Sequence, residues 1–106
     1  MLREAELTVH FASQELERLY TSNVGAHSYA PEIVKLFRRR VRHIEAATDV
    51  NDLKCPNLVS YRRLSADYPP TSSLGLNEDW ELIISEELEN EAERIVVLEI
   101  AERGER

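Results

Sequence analysis

Lys35, Arg38, Arg39 and Arg42 recur at spacings of three and four, inside a run where five of the six residues from Arg38 to His43 are basic. On a helix those spacings share one face. With Arg40, Arg62 and Arg63 they form a cation set suited either to RNA phosphates or to the carboxylates of a protein partner, and a plain solvated helix face is the competing reading. Other reactive types are sparse. His10, His27 and His43 form no i, i+4 pair and Cys55 has no partner motif, so neither a metal site nor a Cys-His nucleophile is expected. Cys55 before Pro56 needs only to fill a turn. Asp67, Glu78 and Asp79 read as loop acids that solvate turns, and Trp80 reads as a core residue before it reads as a base-stacking platform.

The frame around these residues is small and acidic. The chain has 106 residues, a net charge of −7 and a hydrophobic share of 42%. That composition supports one modest core and argues against disorder. Residues 32–63 carry eight basic and four acidic side chains, while residues 64–106 carry three and twelve. Any anion site must therefore be local to the middle third. One cysteine excludes an internal disulfide and fits a reducing compartment. No run of apolar residues is long enough for a membrane span and no hydrophobic signal region is visible near Met1, so a cytoplasmic protein is expected.

The elements that must hold the cations follow from periodicity. Leu7, Val9 and Phe11 alternate with Thr8 and His10, predicting a half-buried strand. Ser13 is an N-cap for a short helix that buries Leu16, Leu19 and Tyr20 and ends by Gly25. Pro31 opens a longer helix, with Ile33, Phe37, Val41, Ile44 and Thr48 on its apolar face and the basic stripe opposite. Thr48 to Leu53 restarts for about one turn before Cys55-Pro56. Strands are predicted at Leu58–Leu64, Trp80–Ser85 and Arg94–Ala101. The β-branched run Ile95-Val96-Val97-Leu98 decides against a helix from Ser85 through Ala101, and it suggests a central strand covered on both faces. Ser65–Asp79 reads as a long loop, and the acidic stretch Glu86–Glu93 as a solvated connection.

This order of elements, with Ala46-Ala47-Thr48-x-x-x-Asp52-Leu53 closing the long helix, Trp80-Glu81-Leu82-Ile83-Ile84, and Ile95–Ile100 followed by Arg103-Gly104, resembles the RelE/HigB superfamily of toxins from type II toxin–antitoxin systems. The likeness is to the plasmid-maintenance killer branch and spans about residues 30–104. It implies a single α+β domain of RelE-like fold, with two N-terminal helices packed on a small twisted, mainly antiparallel sheet. It also implies an mRNA interferase, a ribosome-dependent endoribonuclease that needs no cofactor, is held in check by a cognate antitoxin, and cuts by attack of a ribose 2′-hydroxyl on the adjacent phosphate.

Carried over residue by residue, the resemblance gives Arg103 as the catalytic arginine that follows the last strand. Lys35, Arg38, Arg39, Arg42, Arg62 and Arg63 are then the RNA- or partner-binding set. The arginine expected after the strand-opening aromatic falls on Glu81, the basic residue before it falls near Gly75, and the C-terminal tyrosine or histidine has no counterpart. A carboxylate where phosphate should sit repels it. Glu81 is expected to pair with Arg103 instead. The alternative is a catalytically inactive member of the fold that serves as a protein-binding or regulatory module. A generic acidic adaptor would follow only if the last segment were helical.

Overall fold

The computed structural model describes residues 7–22, 29–47, 61–89 and 92–102. Among these residues the order is β1 (Thr8–Phe11), α1 (Gln14–Thr21), α2 (Pro31–Ala46), β2 (Tyr61–Ser65), β3 (Thr71–Gly75), β4 (Trp80–Glu89) and β5 (Ala92–Glu102). The five strands form one sheet in the order β1-β5-β4-β3-β2. All neighbours are antiparallel except β1, which runs parallel to β5 with Thr8 opposite Arg94. The architecture is α+β, as the sequence implies.

Local signals explain the helices. Ser13 Oγ accepts from the Leu16 backbone N–H at 3.2 Å, satisfying one of the unpaired donors that open α1. Pro31 occupies the first turn of α2, where its missing N–H costs nothing. Leu16 and Leu19 of α1 and Ile33, Val34, Phe37, Val41 and Ile44 of α2 are buried against Leu74, Leu82, Ile84, Ile95, Val97 and Ile100 of the sheet. This single cluster is the core, and it lies on one face of the sheet. Trp80 packs at its margin, edge-on to Tyr29 with centroids 6.2 Å apart.

Two sequence expectations are corrected. The segment Ser65–Asp79 is not one long loop: Thr71–Gly75 forms β3, paired on both sides with β2 and β4. Thr-Ser-Ser-Leu-Gly has little strand propensity, and its place comes from two flanking partners and from burying Leu74. The acidic stretch is not a solvated connection either. β4 runs on to Glu89 and β5 begins at Ala92, so Glu86 faces Ile95 and Glu87 faces Arg94 across the ladder. Repulsion among the acids is offset by bound cations, such as Arg94 Nε on Glu87 Oε1 at 3.0 Å.

The run Ile95–Leu98 is indeed in an interior strand, but the helices cover only one of its faces. A register shift sets Ile83 opposite Glu99 and Ile84 opposite Val97, leaving Leu98 as an extra residue. That bulge lets Val97 and Ile100, three apart, both point into the core, which strict alternation forbids. The turn predicted at Thr48–Leu53, together with His27, Cys55, Arg103 and the start of the Leu58 strand, lies outside the described residues.

Candidate functional site

The predicted cations do not form one patch. Lys35, Arg39 and Arg42 stand exposed on the outer face of α2, away from the core. Arg38 turns toward α1, where Nε donates to the Leu19 carbonyl at 3.0 Å and Nη2 to the Ser22 carbonyl at 2.7 Å. Unpaired carbonyls at a helix C-terminus attract cations, so Arg38 fastens α1 to α2. Arg40 reaches the sheet and donates to the Gly75 carbonyl at 3.1 Å. Burial and the neighbouring Arg39 hold its guanidinium below the usual arginine value.

Alternation separates the two arginines of β2. Arg62 stands in register with Ser73, and Ser73 with Ile83, on the face turned away from the helices. Its Nη2 donates to Glu81 Oε1 at 3.1 Å. Gly75 lies in register with Glu81, and having no side chain it leaves room for this reach across β3. The Glu81 side chain is 6% exposed and that of Arg62 47%. Arg103, the expected partner of Glu81, lies outside the described residues; among those described Glu81 pairs with Arg62 and across β4–β5 faces Ala101. The site where a phosphate-binding cation was sought thus holds a carboxylate that already occupies a guanidinium.

Arg63 points to the helix side of the sheet, beyond the helices' cover, and joins a cluster the sequence did not reveal. Tyr61 Oη donates to Glu86 Oε2 at 2.5 Å, and Ser72 Oγ donates at 2.9 Å to Tyr61 Oη and lies 3.0 Å from Glu86 Oε2. Arg63 Nη2 contacts Tyr61 Oη at 3.0 Å and Glu86 Oε1 at 3.3 Å. Ser72 is fully buried, and burial together with the Glu86 contact pushes the Tyr61 phenol above its ordinary value, with Ser72 and Arg63 opposing. Tyr61-x-Arg63 on one strand face was the only available signal. Ser72 and Glu86 had been read as loop and connection, so nothing in the sequence brought the four together.

The remaining candidates stay apart. His10 is exposed on β1, His43 half-buried on α2, and Asp67, Glu78 and Asp79 are exposed in turns. Among the described residues no group of three or more His, Cys, Asp or Glu could hold a metal ion, and no helix is long and apolar enough to cross a membrane.

The five-stranded, mostly antiparallel sheet with two helices is an α+β architecture compatible with the RelE-like fold. The family described as the RelE-like toxin of type II toxin–antitoxin system HigB matches residues 9–99, and the chain belongs to this HigB-like toxin family. The match begins in β1, earlier than the resemblance seen from residue 30 onward. No curated protein and no solved structure matches the chain.

Proposed function

We propose that this protein is the toxin of a type II toxin–antitoxin pair, that it acts in the cytoplasm on messenger RNA at the ribosome as an endoribonuclease, and that a cognate antitoxin silences it. Membership of the HigB-like family over residues 9–99 is the observation that carries this reading. The exposed face of Lys35, Arg39 and Arg42, on a chain of charge −7, supports contact with RNA phosphate or with an acidic antitoxin segment. Arg103, one residue beyond β5, is assigned to phosphate contact by its match to the family's arginine after the last strand.

A second reading, an inactive module that only binds protein, is favoured by the Arg62–Glu81 pair. Glu81 stands where the resemblance expects an arginine and Gly75 near where it expects another basic residue, and Glu81 already holds Arg62. Inducible expression with and without the antitoxin encoded by the adjacent open reading frame separates the readings. The toxin reading expects growth arrest and cut messages, both relieved by the antitoxin. A stable complex without arrest or cleavage would favour the inactive module, and the absence of any complex would overturn the toxin reading.

A further inference from the structure

The Tyr61, Arg63, Ser72 and Glu86 cluster lies on the opposite side of the sheet from the Arg62–Glu81 pair. It has the parts that metal-independent phosphodiester cleavage requires. A base must take the proton of the ribose 2′-hydroxyl, and a fixed cation must stabilise the charge that builds on the nonbridging oxygens. The Glu86 carboxylate is fixed by Tyr61, Ser72 and Arg63, yet its side chain stays 12% exposed. Arg63 is 36% exposed and spends Nη2 on Tyr61 and Glu86, while its Nε and Nη1 have no partner among the described residues. A phosphate oxygen accepting from Nη1 would lie at the same end of the guanidinium as Nη2, the nitrogen that contacts Glu86 Oε1. The β2–β3 ladder also shifts register between Arg63 and Ser65, an irregularity that re-aims side chains and is common beside active sites.

We propose that this cluster is a relocated RNA-cleaving centre, with Glu86 as general base, Arg63 as the phosphate-binding cation, Tyr61 as a hydrogen-bond donor to Glu86 and Ser72 as a positioning residue. The proposal rests on the toxin reading and adds the site of its chemistry. Glu86 removes the 2′-hydroxyl proton as the 2′-oxygen bonds to phosphorus, and the bond from phosphorus to the 5′-oxygen breaks. The departing 5′-oxygen takes a proton from water, and Glu86 returns its own proton to water. The products are a 2′,3′-cyclic phosphate and a 5′-hydroxyl. Tyr61, shifted upward, remains a protonated donor at neutral pH.

The test is cleavage of a defined message on purified ribosomes by wild type, Glu86→Gln, Arg63→Lys and Tyr61→Phe, with thermal melts for each. Glu86→Gln should lower kcat about a hundredfold or more and leave affinity for the programmed ribosome within about twofold, a split that a purely structural role would not give. Arg63→Lys keeps the charge, lies on an exposed strand and should fall at least about tenfold, so it decides the matter should Glu86→Gln not fold. Cleavage by either folded variant at the wild-type rate overturns the proposal. It also falls if wild type leaves ribosome-bound message intact. That last result would overturn the endoribonuclease reading as well, whereas cleavage by the variants at the wild-type rate leaves that reading standing with its chemistry elsewhere.

Discussion

At the scale of single residues, the pair of Arg62 and Glu81 is asymmetric: the acid is almost wholly buried, while nearly half of the base meets water. Removing the base strands a buried charge, whereas neutralising the acid releases an arginine that solvent can hydrate. Arg62→Ala should therefore cost more stability, about 2–3 kcal/mol, than Glu81→Gln at about 1 kcal/mol or less. Chemical denaturation of both variants checks the order, and equal losses would contradict it. For the same reason Glu81→Arg would set two cations together beneath the surface, and it is expected to unfold the sheet's outer face before it restores a phosphate site.

Tyr61 gives a second prediction. Its folded value lies above its ordinary 10.0, so the folded state holds the proton more tightly than the unfolded state does. That contribution is complete below about pH 10 and is lost as pH rises through the folded value. Tyr20, raised by burial and then by Glu45, acts in the same sense. Tyr61→Phe should flatten the fall in melting temperature between about pH 9 and 11, and an unchanged slope would show that the phenol does not titrate with unfolding.

At the scale of elements, both helices and four of the five described strands were legible, while β3 and the outer ends of β4 and β5 were not. α1 and α2 announce themselves through Ser13, Pro31 and apolar residues at helical spacing, because a helix makes its hydrogen bonds within a continuous segment. β3 and the outer half of the β4–β5 hairpin depend on partners distant in sequence. Thr71–Gly75 is held by the ladders on either side of it, and Glu86 and Glu87 by Tyr61, Ser72, Arg63 and Arg94. The candidate cluster was hidden for that reason, since two of its four members sit on segments that local pattern assigned to loop.

Arg38, assigned to a binding surface by spacing, has a structural role that only its contacts reveal. Arg38→Ala should lower stability by about 1–2 kcal/mol by removing the guanidinium's bonds to the Leu19 and Ser22 carbonyls. Amide hydrogen exchange should show faster opening of α1 than of β4, and a uniform change across the molecule would contradict the local role.

At the scale of the whole molecule, charge is segregated: a basic helix face stands on an acidic protein. Such a distribution orients an approaching charged partner before contact, and salt weakens the effect. Because Arg38 also ties α1 to α2, the surface to alter without loosening the helices is Lys35, Arg39 and Arg42. Reversing all three to glutamate should raise the antitoxin Kd at least about tenfold at low salt and flatten its salt dependence. Binding that is unchanged at two salt concentrations would move the antitoxin interface to another face.

The sheet order also sets a timetable for the chain. β5 lies between β1 and β4, so the first described strand and the fourth are joined only through the last. A ribosome making this protein delivers β1, both helices and the strands through β4 before the piece that unites them exists. Until then β1 has no strand to bond and β4 exposes one edge, and an open edge of that kind captures other strands. Closure comes late and joins residue 8 to residue 94, a long-range step that is slow for entropic reasons. The chain therefore leaves the ribosome with its sheet still in two parts, and the fold closes only when nearly the whole sheet has been synthesised.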